Sequence, residues 1–475
     1  MPFGRPGGHC DHAPGIARRP GSEQHFEKGS NVKTRLMLAL IAAAPLAAQA
    51  TDGYFANGYG MKSIGMGGAA IAVAQEPFGG AVNPGAMSFL DAGYQFGVAW
   101  FSPHRNASRT GAAAVGMDAF VDSGSNDFFI PEFGINWKYS PDLAFGVTVY
   151  GNGGMNTDYP GGQLSAQSAC AGFNPKPGPY NLLCGNGSLG VDFMQLMIAP
   201  YVSWQFAKGQ SIGIAPVIAY QRFRAEGLQM FDSPLFSNSP GSVTNNGYSD
   251  AWGVGVRIGY MGQFTDQFAI GAVYTSKTSM GDFGDYKGLF AQQGGFDIPS
   301  SFTVGFSLRP TNQWLIALDF ERIYYDDTPS VNNRLALIYN CLPPQLGGQG
   351  NRNNCLGGNN GAGFGWHPVD VWKIGVQYMV NDQWTLRAGY NHTDNPIQPQ
   401  DVTFNIIAPG VVQNQYSAGA TYRIDKASEI TGAFMYAANN SVTGPSLYAA
   451  FVQQPATETI AMKQYLLGVA YSRKF

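Results

Sequence analysis

Residues 251–275 read AWGVGVRIGYMGQFTDQFAIGAVYT, and this stretch decides the fold. Trp252, Val254, Val256, Ile258 and Tyr260 form one apolar row, with Gly253, Gly255, Arg257 and Gly259 between them. A polar turn, Gln263-Phe264-Thr265-Asp266-Gln267, follows, and Phe268, Ile270, Ala272 and Tyr274 resume the row. Successive side chains of a strand point to opposite faces, so this pattern places one face in lipid and the other in a lumen.

The same grammar recurs with Phe302, Val304, Phe306 and Leu308, with Trp314, Ile316, Leu318 and Phe320, with Trp372, Ile374, Val376 and Tyr378, and with Trp384, Leu386, Ala388 and Tyr390. Tyrosine and tryptophan stand near the ends of the rows, where an interfacial girdle needs them. The pattern predicts fourteen strands: 93–103, 130–140, 143–152, 192–206, 211–226, 250–263, 267–281, 299–310, 313–327, 369–380, 383–394, 414–424, 428–440 and 463–475. Links after even strands are short, as in Ser140-Pro141-Asp142 and Asn381-Asp382. Links after odd strands are long: 104–129, 153–191, 227–249, 282–298, 328–368, 395–413 and 441–462. Short periplasmic turns and long external loops belong to outer-membrane barrels; a soluble sandwich or propeller would not sort its loops so strictly. The expected fold is all-β, a 14-stranded antiparallel transmembrane barrel over residues 93–475.

Composition agrees. Only 12% of the 475 residues are charged, while glycine (63 residues) and aromatics (13%) are abundant. Disordered chains have the opposite balance. A net charge of −3 without a lysine or arginine run excludes a nucleic-acid surface.

Residues 1–50 read as a targeting region. Lys33 and Arg35 precede the apolar stretch Leu36–Ala48, and Ala48-Gln49-Ala50 matches a small-x-small cleavage site, so the mature chain is expected to start at Thr51. The stretch is too short to span a bilayer as a helix. Residues 1–31, rich in Pro, Gly and His, point to a later translation start, at Val32 through a non-AUG codon.

Residues 51–92 are apolar, small-residue rich and nearly uncharged. Irregular backbone is not tolerated against lipid, and the segment is too apolar for a free tail. The inside of the barrel is the remaining place, so it reads as a hatch. Here the chain resembles the FadL-type family of outer-membrane transporters for long-chain fatty acids and other hydrophobic compounds, including aromatic hydrocarbons. The matching pieces are Gly65-Met66-Gly67-Gly68-Ala69, the hatch motif Asn83-Pro84-Gly85-Ala86-Met87, and fourteen strands ending in an aromatic residue. The family has alanine where this chain has Gly85, which puts the local turn in question. The resemblance implies diffusion of substrate from an external groove on the large loops to an internal site, hatch movement, and exit sideways where the third strand is kinked, with no energy source.

Tyr54, Phe55, Met61, Ile64, Met66 and Phe78 are the large hatch side chains available to line an apolar path. If the aromatic rows face lipid, then Arg257, Lys277, Lys373 and Arg387 face the lumen with Asp319 and Glu321. One or two of these cations could hold a substrate carboxylate, or all could pair with the acids and the hatch. Gly151, Gly153 and Gly154 end the third strand and are candidates for the side opening, with a plain loop entry as the alternative. Pro200 and Pro216 lie inside strands and should mark bulges or interrupted pairing. Cys170 with Cys184, and Cys341 with Cys355, are each 14 apart within one long loop. An even count in an oxidising compartment predicts two local disulfides; metal binding is the rival, with only His367 nearby.

Gly65-x-Gly67-x-x-Ala70 formally matches a dinucleotide fingerprint but lacks the preceding strand that the motif requires, so no cofactor is expected. An outer-membrane lipase is an alternative class, since His392 lies near the outer end of its strand, but no Gly-x-Ser-x-Gly elbow occurs. A general porin is a further alternative, disfavoured by the plug. The expected function is passive uptake of hydrophobic compounds, fatty acids first and aromatic hydrocarbons second, by a non-enzymatic monomer set in outer-membrane lipid and lipopolysaccharide.

Overall fold

The computed structural model describes residues 52–475. The signal region, the cleavage site and the start at Val32 lie outside the described residues. Fourteen strands build the wall: β1 Gly93–Thr110, β2 Phe128–Ser140, β3 Leu143–Tyr159, β4 Leu189–Ala207, β5 Gln210–Glu226, β6 Ser249–Gln263, β7 Phe268–Thr275, β8 Ser301–Leu308, β9 Trp314–Ile323, β10 Val369–Met379, β11 Trp384–Thr393, β12 Asn414–Arg423, β13 Ser428–Pro445 and β14 Thr457–Lys474. Each pairs antiparallel with its neighbour, and β1 closes on β14 from Gly93↔Lys474 to Thr110↔Thr457. Closure leaves the sheet no free outer strand, which a sheet in hydrocarbon requires. The fold is the expected closed barrel. No helix among the described residues is long and apolar enough to cross a membrane.

The rows face outward as read. Trp252 and Val254 are 59% and 66% exposed, and Trp372, Leu386, Tyr416 and Leu467 are also exposed. Two boundaries differ instructively. β1, expected to end at 103, runs to Thr110, and β14 begins at Thr457 rather than 463. The added residues include Arg105, Asn106, Arg109 and Glu458. They continue the ladder past the apolar rows, where polar side chains on both faces erase the alternation that marks a strand. The expected strand 267–281 ends at Thr275 and resumes only as the pair Ser279–Met280, which bonds to β6.

Two prolines interrupt one seam. β4 and β5 pair up to Ile198↔Ile218 and again from Val202↔Ile214, leaving Pro200 opposite Pro216 without ladder pairing in between. Neither proline has an N–H to donate, and the register resumes without slipping.

Residues 52–92 lie in the lumen, with one short helix, α1 (Met61–Ile64), and two 3-10 turns, Pro77–Ala81 and Pro84–Phe89. The inward glycines of the wall are where this segment lies against it. A Cβ on Gly213 of β5 would come within 2.3 Å of the Pro84 carbonyl carbon, and one on Gly389 of β11 within 2.0 Å of the Met66 carbonyl carbon. Gly213, Gly259, Gly271, Gly375 and Gly389 are therefore the footprint of the hatch on the wall, while Gly253 and Gly255 make room for Thr278–Met280.

Candidate pathway through the lumen and the wall

The long loops fold over the outer mouth. Both expected disulfides are present, Cys170–Cys184 and Cys341–Cys355. The loops are tied to the rim by a buried ion pair between Arg109 of β1 and Glu458 of β14 at 2.5 Å. Arg109 also donates to the Leu182 carbonyl at 2.8 Å, and its guanidinium stacks 4.3 Å from the Tyr448 ring centroid. Glu458 accepts from Ser446 Oγ at 2.9 Å and from Thr403 Oγ1. A third tie is Asp401, which accepts from the Leu335 N–H at 2.9 Å and from Arg334 Nε at 2.7 Å. Burial pushes its carboxyl above the usual carboxylate range, while the Arg334 charge opposes the shift.

Beneath this cap is a narrow apolar chamber lined by Leu183, Phe223, Phe231, Phe290, Phe364 and Phe404 among others. Below it sits an aromatic cluster. Tyr54 of the hatch lies 5.8 Å from Trp366, 5.3 Å from Tyr325 and 6.3 Å from Phe193, ring centroid to centroid. Phe296 packs on Phe193 at 4.9 Å. Beyond Trp366 a second narrow space is bounded by Phe101 and Arg105 of β1, Met155 of β3 and Met462 of β14. Phe364 and Ile407 line the first space, and Trp366 and Ala408 the second, so the two are separated by neighbouring residues of the same loops.

The second space backs onto a break in the wall. β2 pairs with β3 only as far as Glu132↔Tyr150, although β3 runs on to Tyr159. At that point β3 carries a bulge between Gly151 and Gly153. A bulge bends its strand and leaves one residue unpaired. Here that residue is Asn152, whose side chain accepts from Tyr59 Oη at 2.8 Å and donates to Gln195 at 2.8 Å. The hatch takes the missing partner's place. Ala56 N donates to the Asn152 carbonyl at 3.1 Å, and Gly154 N donates to the Tyr54 carbonyl at 3.2 Å. Above the break, Gly124 N donates to the Asp158 carbonyl at 2.7 Å and closes the frame.

Of the hatch side chains singled out by sequence, only Tyr54 and Phe55 border this path; Phe55 bridges to Gly153. Met61 packs on Gly468, Met66 on Gly375 and Gly389, and Phe78 on Gly134. Ile64 is buried in the main apolar cluster. These four wedge the hatch against the wall. Asn83 caps the second 3-10 turn by accepting from Gly85 N at 2.9 Å, with Pro84 in the first position. Gly85 is demanded by proximity, because a Cβ there would meet the Gly259 carbonyl oxygen at 2.6 Å.

The lumen cations are engaged. Lys373 pairs with Glu321 at 2.7 Å and lies 3.8 Å from Asp52, whose carboxylate also accepts from Gln415 at 2.8 Å. Arg257 donates to the Ala81 carbonyl, and to Thr275 at 3.1 Å; Arg387 donates to Thr421 at 2.7 Å. Asp319 accepts from Ala70 N at 2.7 Å and Ile71 N at 2.9 Å, binding hatch to β9. Lys277 corrects the parity reading: it is exposed and pairs with Asp297 at 3.1 Å, because the ladder breaks at Ser276 and inverts the alternation. Sequence reasoning missed Arg105, Trp366, Phe193, Phe296 and Tyr325. Arg105 was assigned to a loop; the others carry no local signal, since only folding gathers them.

The fold has relatives. The crystal structure of the Pseudomonas putida toluene transporter TodX superposes with a TM-score of 0.62 at 19% identity, covering 88% of this chain and 99% of that one. A Pseudomonas aeruginosa FadL homologue gives 0.64 at 14%, covering 89% and 100%. The Ralstonia pickettii toluene transporter TbuX gives 0.56 at 16%, covering 88% and 99%. At such identities the likeness carries the fold. No curated protein matches the chain. A family model described as outer membrane protein transport protein (OMPP1/FadL/TodX) matches residues 184–475. The chain is thus an outer-membrane β-barrel that belongs to the OMPP1/FadL/TodX family of transport proteins.

Proposed function

We propose that this protein is a passive channel for compact hydrophobic compounds, aromatic ones foremost. Substrate enters the loop chamber, passes the Tyr54–Trp366 cluster and leaves sideways through the break beside β3. The single observation that carries this reading is the alignment of two apolar spaces with a wall interruption that the hatch itself fills. Offset and edge-to-face ring contacts suit an aromatic guest, and the gap lets it enter lipid without crossing water. Release requires the Ala56–Asn152 and Gly154–Tyr54 backbone bonds to part, so hatch movement gates exit.

One observation favours an aromatic body over a long acyl chain: the lumen cations named for a fatty-acid carboxylate are already bonded within the protein. The names of TodX and TbuX as toluene transporters agree. A general porin is disfavoured because the hatch fills the lumen. The reading takes the protein as a monomer surrounded by lipid and lipopolysaccharide. Uptake of labelled toluene, oleate and glucose by cells expressing the protein tests the reading: toluene should enter fastest. Faster entry of oleate would favour the fatty-acid alternative, and free entry of glucose the porin.

A further inference from the structure

We propose that Arg105 is a specificity-determining residue behind the wall opening, where it holds the anionic oxygen head of an aryl carboxylate whose ring occupies the adjoining apolar space. The inference rests on the channel reading above and goes beyond it by assigning a head group.

Arg105 is 4% exposed and forms no ion pair among the described residues. Lys62 pairs with Glu429, Arg109 with Glu458 and Lys373 with Glu321. Arg257 and Arg387 share its want of an acid, but they lie against the hatch and the neighbouring strands, whereas Arg105 borders the second space. The Arg105 guanidinium donates from Nη2 to the Ser125 carbonyl and lies 6.0 Å from the Phe128 ring centroid. Its Nε–H is buried with no acceptor. A buried cation without a compensating anion is costly, and an unmet donor in a dry site adds to that cost. In a membrane protein such a group marks a ligand site more often than filler.

Its position gives the ligand's shape. Arg105 lines the second space with Phe101, Met155, Trp366 and Met462, which supply an aromatic and thioether surface against which a ring can pack. It also lines a polar groove on the far side with His104, Asn106, Asp122 and Lys463. Asp122 in that groove makes no ion pair with it among the described residues. The guanidinium thus stands between an apolar space and a wet one, with a fork suited to a carboxylate. An aryl carboxylate would place its ring on Trp366 and its oxygens on Nε and Nη of Arg105.

The test is binding to the purified full-length protein in detergent, with benzoate, methyl benzoate and toluene as probes. Wild type should bind benzoate at least about tenfold more tightly than methyl benzoate, the scale of one charge-assisted hydrogen bond. Arg105→Gln should remove that preference while leaving toluene affinity within about twofold, and Arg105→Lys should restore part of it. Equal affinity of wild type for benzoate and methyl benzoate overturns the assignment without needing any variant. So does a parallel loss of benzoate and toluene binding in Arg105→Gln, which would make Arg105 a structural support. If wild type takes up toluene but does not bind benzoate, this inference alone fails; if it takes up neither, the channel reading fails with it.

Discussion

The Asn83 carboxamide joins hatch to wall: its Nδ2 donates to the Tyr260 carbonyl of β6 at 3.0 Å and to the Ile71 carbonyl of the hatch at 2.7 Å. Its oxygen meanwhile caps the turn that begins at Pro84. One side chain therefore fixes the hatch turn, the hatch's own fold and its seat on the barrel.

Asn83→Ala combined with Pro84→Ala should leave the barrel assembled and heat-resistant, because closed strand pairing does not depend on the hatch. The cap loss costs about 1 kcal/mol, and each stranded carbonyl, Ile71 in the hatch and Tyr260 on the wall, about 1–3 kcal/mol. Uptake of labelled toluene should fall several-fold. Normal uptake, with heat-modifiable migration on gels confirming assembly, would show that the hatch seat does not matter to transport.

Gly85→Ala restores the residue typical of the family motif, yet the wall is too close for it. With the Gly259 carbonyl 2.6 Å from the new Cβ, the turn must lift off β6. We expect increased entry of a small hydrophilic antibiotic, read as a lower inhibitory concentration. A second change cannot relieve the clash at Gly259, which already lacks a side chain.

Deleting Asn152 removes the bulge residue and lets β3 continue straight from Gly151 to Gly153. The hatch loses the carbonyl to which Ala56 bonds, and the break beside β3 narrows. Toluene uptake should drop about tenfold or more while the barrel still assembles. Unchanged uptake would place the exit elsewhere, and the Pro200–Pro216 seam is then the next position to cross-link.

Lys373→Met should destabilise hatch docking by about 3–5 kcal/mol, since it strands Glu321 and Asp52. Lys277→Gln should change neither stability nor uptake, because that residue pairs at the surface. Thermal denaturation followed by circular dichroism, together with toluene uptake, separates the two.

Replacing Cys341 and Cys355 by serine opens one external loop. Closing a loop of this size contributes about 3 kcal/mol through the unfolded chain. The cap around Arg352, which donates to the Pro234 and Ser237 carbonyls, should become sensitive to trypsin added outside cells. The barrel core should stay resistant.

Sequence alone determined the wall. Alternation of apolar with small residues is a local property, and lipid on one face enforces it strand by strand, so fourteen strands, their order and their outward rows were legible. The glycine rows were visible too, and so was the hatch motif at Asn83, because turn chemistry is written in adjacent residues. Tertiary structure decided what those features meet. Whether Gly213 faced water or hatch backbone depends on a segment more than a hundred residues away. Lys277 defied parity because one unpaired residue inverts a strand's faces. The Tyr54–Trp366 cluster gathers residues from the hatch, a strand and several loops, and no spacing encodes it. Arg105 was hidden for a related reason: past the apolar rows both faces of the strand turn polar, the alternation disappears, and only the ladder with β14 shows that its side chain points inward.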